Sequence, residues 1–481
     1  MKHQKYWIKL ICLGLAALIP FAVVAGIGLL AAPVYGQTFL GELAPKFDRL
    51  NGIEEPKVII VGGSNVAFGL DSQLLSRHVG MPVVNFGLYA TLGTKLMMDL
   101  SKSNINPGDI IVLVPEMDEQ TLSLYFNAEA ALQGMESDWS MLRHIPEENR
   151  ADLMGGVYEY VTAKIKYLRE GVLDPAGVYN RDSFNEYGDI VYPRPHNTML
   201  LGYDPNMTIA LTPALVDPEF ARYVNDYTAY CEALGATVYF SFPPMNASAM
   251  EASTTEDTLF DFSSYLYNAL DCKVIGNVND YIIEENYFYD SNFHLNDSGV
   301  VLRTSLLAHD INRARGIPAQ IAISVPEAPP RPVTEAIRTE ADALLSTYFT
   351  YVEYGGGYAV SGVSEEGRKL SALTLPGTYD GKAVLAIERG AFADCDKLIK
   401  LTLSQNTAQL MDGAFADCPN LTMVCLPHGS PEGISVGNGL MEDAAGDIKL
   451  VLGSREAFEA FVADYFWSQY GQYMELTGET K

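Results

Sequence analysis

The sequence predicts an α/β protein: a doubly wound parallel sheet, an N-terminal transmembrane helix before it and a small C-terminal repeat domain after it. Three observations lead there. Short β-branched runs alternate with helical stretches between residues 57 and 315. A nearly uninterrupted apolar run covers residues 10–35. The hexapeptide GAFADC occurs at residues 390–395 and again at 413–418, a spacing of 23 residues.

The strands and helices follow in order. Residues 57–62 (KVIIVG) form a β-branched run bounded by turn residues, the pattern of a strand covered on both faces. Residues 70–79 read as a helix, 82–86 as a second strand, 94–103 as a helix and 109–114 as a third strand. A long helix fits 218–234, ended by Gly235 just past its C-terminus. Residues 237–242 give a fourth strand, 274–278 a weak fifth and 297–315 a closing helix. Between 119 and 212 the period is poor and turn residues are frequent, as expected of a long insertion on the C-terminal rim of the sheet, where such folds place binding loops.

Lys2, His3, Lys5 and Lys9 precede the apolar run. The run is long enough to span a bilayer, and its one-sided basic flank leaves the N-terminus cytoplasmic and everything after Gln37 outside. A cleaved signal peptide is the competing reading. The expected organisation is a cytoplasmic stub and anchor over 1–36, the main domain over 37–315, a Pro-rich linker over 316–335 and the repeat domain over 336–481. An extended segment packed on the main domain is the alternative for the linker.

Composition narrows the function. A formal net charge of −28, with no dense Lys/Arg cluster to reverse it locally, repels phosphate backbones and argues against nucleic-acid binding. The six cysteines are too few and too scattered for a disulfide framework, and no CxxC pair suggests zinc. Cys395 and Cys418 fall at matching repeat positions, as stacked core residues or, alternatively, as a disulfide.

Two loops could carry chemistry. Ser64, in Gly62-Gly63-Ser64-Asn65, follows the first strand and precedes a helix. A serine at such a turn projects its hydroxyl at the rim of the sheet, near backbone N–H groups that can receive an oxyanion; a purely structural turn reads the same way. Downstream, Asp290 and His294 lie in Tyr289-Asp290-Ser291-Asn292-Phe293-His294, just before the closing helix. Histidine is the base suited to activate a serine near neutral pH, and a carboxylate fixes its tautomer. A capping loop with an incidental histidine is the plain alternative.

Together these elements resemble the SGNH (GDSL-like) hydrolase superfamily, over roughly residues 56–315. The resemblance implies Ser64 as nucleophile, His294 as base and Asp290 as its orienter. It implies an oxyanion hole from Ser64 and Gly87, with Asn65 as a substitute donor. Neither metal nor cofactor is implied. Three departures stand out. The first block reads Gly-Gly-Ser rather than Gly-Asp-Ser. Asp290 lies four residues before His294 rather than three. Where the family has an asparagine donor after the third strand, this chain has Val114-Pro115-Glu116-Met117-Asp118; Glu116 there is a substrate-binding carboxylate or a loop charge.

Residues 288–299 are similar to the exported, membrane-anchored branch of O-acetyltransferases and D-alanylation proteins. That implies a cell-surface bacterial esterase or O-acyltransferase acting on a cell-envelope glycan or acylated polymer. The AF-x-x-C repeats resemble bacterial surface leucine-rich repeats, which implies a protein partner and, as the alternative function, a non-catalytic binding module.

Overall fold

The computed structural model describes residues 28–171, 177–318, 322–442, 444 and 448–477, together with positions 7, 9, 13, 19, 23 and 26. The chain divides into two compact units, residues 1–249 with 256–331, and residues 332–481 with 250–255.

In the first unit the strands are β1 (Val58–Gly62), β2 (Val83–Gly87), β3 (Ile110–Val114), β4 (Thr237–Phe240), β5 (Met245–Asn246), β6 (Lys273–Val274) and β7 (Ile282–Ile283). A five-stranded sheet has the order β2-β1-β3-β4-β6, parallel at every pairing. Val58, Ile60 and Val112 pack in one apolar cluster with Leu75 and Val79 of the helix Ser72–Val79 and with Leu307 and Ile311 of the helix Asp297–Ala314. The alternate residues Ile59, Val61 and Leu113 are equally buried, so the apolar runs reflect burial on both faces. Lys57 and Asp109 form a fully buried ion pair at 2.8 Å beside the starts of β1 and β3. Asp109 also accepts from the Lys57 backbone N–H at 2.9 Å. Removing either partner would strand a buried charge and cost about 3–5 kcal/mol.

The stretch 119–212 is not a plain loop. It holds the helices Ala128–Met135, Glu147–Gly155 and Val157–Glu170. The first is capped by Asn127, whose side chain accepts from Ala130 N–H at 2.9 Å. The Pro-rich stretch is tied to the first unit at two points: Tyr287 donates to the Pro326 carbonyl at 2.7 Å and Arg331 donates to the Leu200 carbonyl at 2.8 Å.

The second unit begins with the helix Glu335–Ser346. Its strands are β8 (Phe349–Tyr354), β9 (Gly357–Val363), β10 (Ala372–Thr374), β11 (Thr378–Tyr379), β12 (Lys382–Ile387), β13 (Lys400–Thr402), β14 (Gln409–Leu410), β15 (Met423–Leu426), β16 (Ser435–Val436), β17 (Lys449–Leu452) and β18 (Met474–Leu476). One sheet runs β10-β13-β15-β17-β18 and the other β16-β14-β12-β9-β8. The repeat appears as register: Lys400 lies opposite Met423, and Ala386 opposite Gln409. Leu401, Val424 and Leu450 share one apolar core with Phe392, Phe415, Ile387 and Leu410. Cys395 and Cys418 sit in that core with free thiols.

Two expectations require correction. Among the described residues the single doubly wound sheet gives way to four sheets, and antiparallel pairs, β8 with β9 and β11 with β12, mix with parallel ones. Many of these strands are two or three residues long, too short to carry a readable period. The transmembrane helix is the second. Among the described residues no helix is long and apolar enough to cross a membrane, so the single-pass placement with an extracellular main domain is not supported. Most of the run at 10–35 lies outside the described residues. Its end belongs to the first unit: beyond Pro33, the Val34 and Tyr35 N–H groups donate to the buried Glu136 carboxylate, and the Tyr35 ring packs on Tyr160 and Tyr167.

Candidate active site

The Gly-Gly-Ser turn follows β1 directly. Gly62 is required by space: a Cβ there would lie 2.3 Å from the Val114 carbonyl oxygen and 2.7 Å from Val66 Cγ2. Ser64 opens the short helix Ser64–Phe68. A buried polar network fixes that helix against β2. Asn85 Nδ2 donates to the Val66 carbonyl at 3.2 Å and to Asp189 Oδ1 at 2.8 Å. Asp189 in turn accepts from the Ser72 N–H and hydroxyl, both at 2.7 Å. Lys46 donates to the Asn85 carbonyl at 3.1 Å, and burial pulls its ammonium down to a pKa of about 8.

His294 arrives from the loop before the helix Asp297–Ala314, a segment locked by Asn296. The Asn296 side chain accepts from Gly299 N–H at 3.0 Å and donates to the Asn286 carbonyl at 2.7 Å. From this loop His294 Nε2 lies 2.8 Å from Ser64 Oγ, and its Nδ1 lies 2.8 Å from Asp290 Oδ1. Ser64 and His294 are 230 positions apart in the chain. Both are largely buried, 5% and 7% exposed.

Asp290 is held from its other side, where the Tyr179 hydroxyl donates to Oδ2 at 2.6 Å. Burial pushes its carboxyl up. The hydrogen bond and charge of His294, joined by the Tyr179 hydroxyl, outweigh this and leave it below the usual carboxylate range. The Phe68 ring stacks on the imidazole, and Phe68 in turn packs against Tyr179 and Phe39. The buried Arg194 guanidinium lies 5.5 Å from the Phe68 ring centroid and donates to the Phe68 carbonyl at 2.8 Å.

Glu116, just past β3, lies against the serine. Its Oε1 lies 2.8 Å from Ser64 Oγ and accepts from the Asn65 N–H at 2.9 Å. The Asn65 side chain is used elsewhere, donating from Nδ2 to the Val114 carbonyl at 3.1 Å. Gly87 N–H donates to Asn85 Oδ1 at 3.3 Å. The structure thus brings Ser64, His294, Asp290 and Glu116 together, with the backbone of Asn65. The other two expected donors, the Asn65 side chain and Gly87 N–H, have partners outside this chain of contacts.

Sequence reading missed Phe68, Tyr179 and Arg194. Phe68 had a signal, since it lies four residues after Ser64 on one helix and so shares its face. Tyr179 and Arg194 sit in a stretch without period, and nothing local marks them. Among the described residues no group of three or more His, Cys, Asp or Glu side chains could hold a metal ion.

No family model matches the chain, and neither does any curated protein. Among solved structures it is similar to a leucine-rich repeat protein of T. pallidum. That likeness is 14% in identity, covers 23% of this chain and 70% of that one, and has a TM-score of 0.16, too slight to bear on fold or function.

Proposed function

We propose that the chain is a serine esterase or O-acyltransferase. The observation that carries this reading is the contact series from Ser64 Oγ through both His294 nitrogens to Asp290, with 2.8 Å at each step. Asp290 accepts the Nδ1 proton, which leaves Nε2 free to take the serine proton. Ser64 Oγ then attacks an acyl carbonyl, and His294 passes the proton to the departing alcohol. The acyl-serine is released to water in an esterase, or to a second hydroxyl in a transferase. The resemblance to SGNH hydrolases supports an O-acylated glycan or related polymer as substrate.

The test is labelling with a fluorophosphonate probe, comparing the intact protein with Ser64→Ala and His294→Ala. Ser64 Oγ forms the bond to phosphorus, fluoride leaves and His294 receives the proton. Labelling lost in both variants supports the proposal; equal labelling of Ser64→Ala overturns it.

A second reading, a non-catalytic module binding a partner through its repeats, is favoured by one observation: the Asn65 N–H that could serve an oxyanion is taken by Glu116. Absence of labelling in the folded wild-type protein would turn the search to that partner.

A further inference from the structure

Counting protons along the site gives Glu116 a role. Ser64 carries one hydroxyl proton, yet its oxygen lies 2.8 Å from both His294 Nε2 and Glu116 Oε1. Asp290 already accepts at Nδ1, so a neutral imidazole presents a bare lone pair at Nε2. The serine proton can satisfy His294 or an ionised Glu116, but not both. With Glu116 ionised and His294 neutral, one of the two 2.8 Å contacts sets lone pair against lone pair. One additional proton resolves the conflict. On Glu116 it gives an unbroken series, in which the carboxylic acid donates to Ser64, Ser64 to His294 and His294 to Asp290. On His294 it gives an imidazolium that cannot act as base.

We infer that Glu116 is a catalytic residue in its neutral form, donating a hydrogen bond at the oxyanion position beside the Asn65 N–H, and that its ionisation shuts the site down. The inference rests on the serine-acyl-transfer reading above and adds a regulatory property to it. Glu116 stands just after β3, where it contacts both the attacking oxygen and the Asn65 amide. As an acid it offers the developing oxyanion a donor. As a carboxylate it occupies the same amide and repels the negative charge forming next to it.

The surroundings favour the neutral form. Glu116 is 4% exposed. Burial pushes its carboxyl above the usual range; the His294 charge pulls it back and Asp118 pushes it further up, with the hydrogen bonds from Asn65 and Ser64 lowering it. The titratable groups facing it are His294 from the loop before the helix Asp297–Ala314 and Asp118 from its own loop. The helix Ser64–Phe68 and the turn at Ala90–Leu92 bring none.

The experiment follows the rate of fluorophosphonate labelling from pH 5 to pH 10 for wild type, Glu116→Gln and Glu116→Ala, each checked for folding by circular dichroism. Glutamine keeps the shape, donates from its amide and cannot ionise. The wild-type rate is expected to fall at least about tenfold on the alkaline side as Glu116 loses its proton. Glu116→Gln should hold its plateau there, and Glu116→Ala should label about 100-fold more slowly throughout, the scale of losing one oxyanion donor. Superimposable profiles for wild type and Glu116→Gln, with labelling still dependent on Ser64, overturn this inference and leave the proposed function intact. Folded wild type and Glu116→Gln that fail to label at every pH overturn both.

Discussion

The ring of Phe68 lies flat on that of His294, centroids 3.9 Å apart and planes 4° from parallel. Asp290 fixes one nitrogen of the imidazole; Phe68 fixes its plane. Phe68 is fully buried, so Phe68→Ala should cost about 3–5 kcal/mol in chemical denaturation. The variant should also label more slowly with a fluorophosphonate under conditions where it remains folded. Normal stability in this variant would show that the packing around the imidazole is slack.

Asp290→Asn should keep the fold and lose labelling by roughly 10⁴-fold, because an amide at this position favours the wrong tautomer of His294. A loss below about tenfold would mean that Tyr179 or another group orients the ring.

Tyr179→Phe isolates the second hydrogen bond to Asp290. The folded carboxyl lies below its usual range, so it contributes stability at neutral pH that is lost as pH falls through its folded pKa. Without the Tyr179 donor that pKa rises toward its ordinary value. Tyr179→Phe should therefore melt below wild type at neutral pH, and the deficit should shrink as pH falls through the acid range where Asp290 becomes protonated in wild type. A deficit of the same size at every pH would refute the assignment.

Glu116 works in the opposite sense. Its folded carboxyl lies above the ordinary range, so its favourable contribution is present at acid pH and is lost as pH rises through the folded pKa. Glu116→Gln removes this loss. The difference in melting temperature, variant minus wild type, should grow as pH rises from the ordinary carboxylate range toward and beyond neutrality. A difference independent of pH would show that Glu116 does not ionise across that range.

In the second unit, Leu401→Ala deletes a fully buried side chain from β13. It should destabilise that unit by about 2–5 kcal/mol, read as an earlier denaturant midpoint for the residue 332–481 transition.

The parts of the molecule legible in the sequence were those whose signal is local. Residues 57–62, 82–86 and 109–114 stand out as short runs rich in Val and Ile, and the observed strands begin and end within one residue of them. Ser64 and His294 stand out because each occupies a short polar loop beside a regular element. What could not be read depends on distant partners. Residues 10–35 read as one apolar run, yet its end at Val34 and Tyr35 is bonded to Glu136, about a hundred positions away. Tyr179 gains its meaning only from Asp290, 111 positions away. Glu116 was visible as a carboxylate at a strand end, but its contact with the serine hydroxyl follows from the register of β1 with β3, which pairs Gly62 with Val114. β5, β7, β11, β14 and β16 are two residues long and take their conformation from their neighbours in the sheets.

The shared 23-residue step carries an evolutionary consequence. Lys400 opposite Met423 and Ala386 opposite Gln409 mean that both sheets of the second unit advance together by the same length of chain. An in-frame tandem duplication of one such stretch would add a rung to each sheet at once, with its phenylalanine and cysteine already placed to stack on the rungs beside it. Unequal recombination within this part of the gene can thus lengthen or shorten the array in whole steps, while the end strands continue to close it.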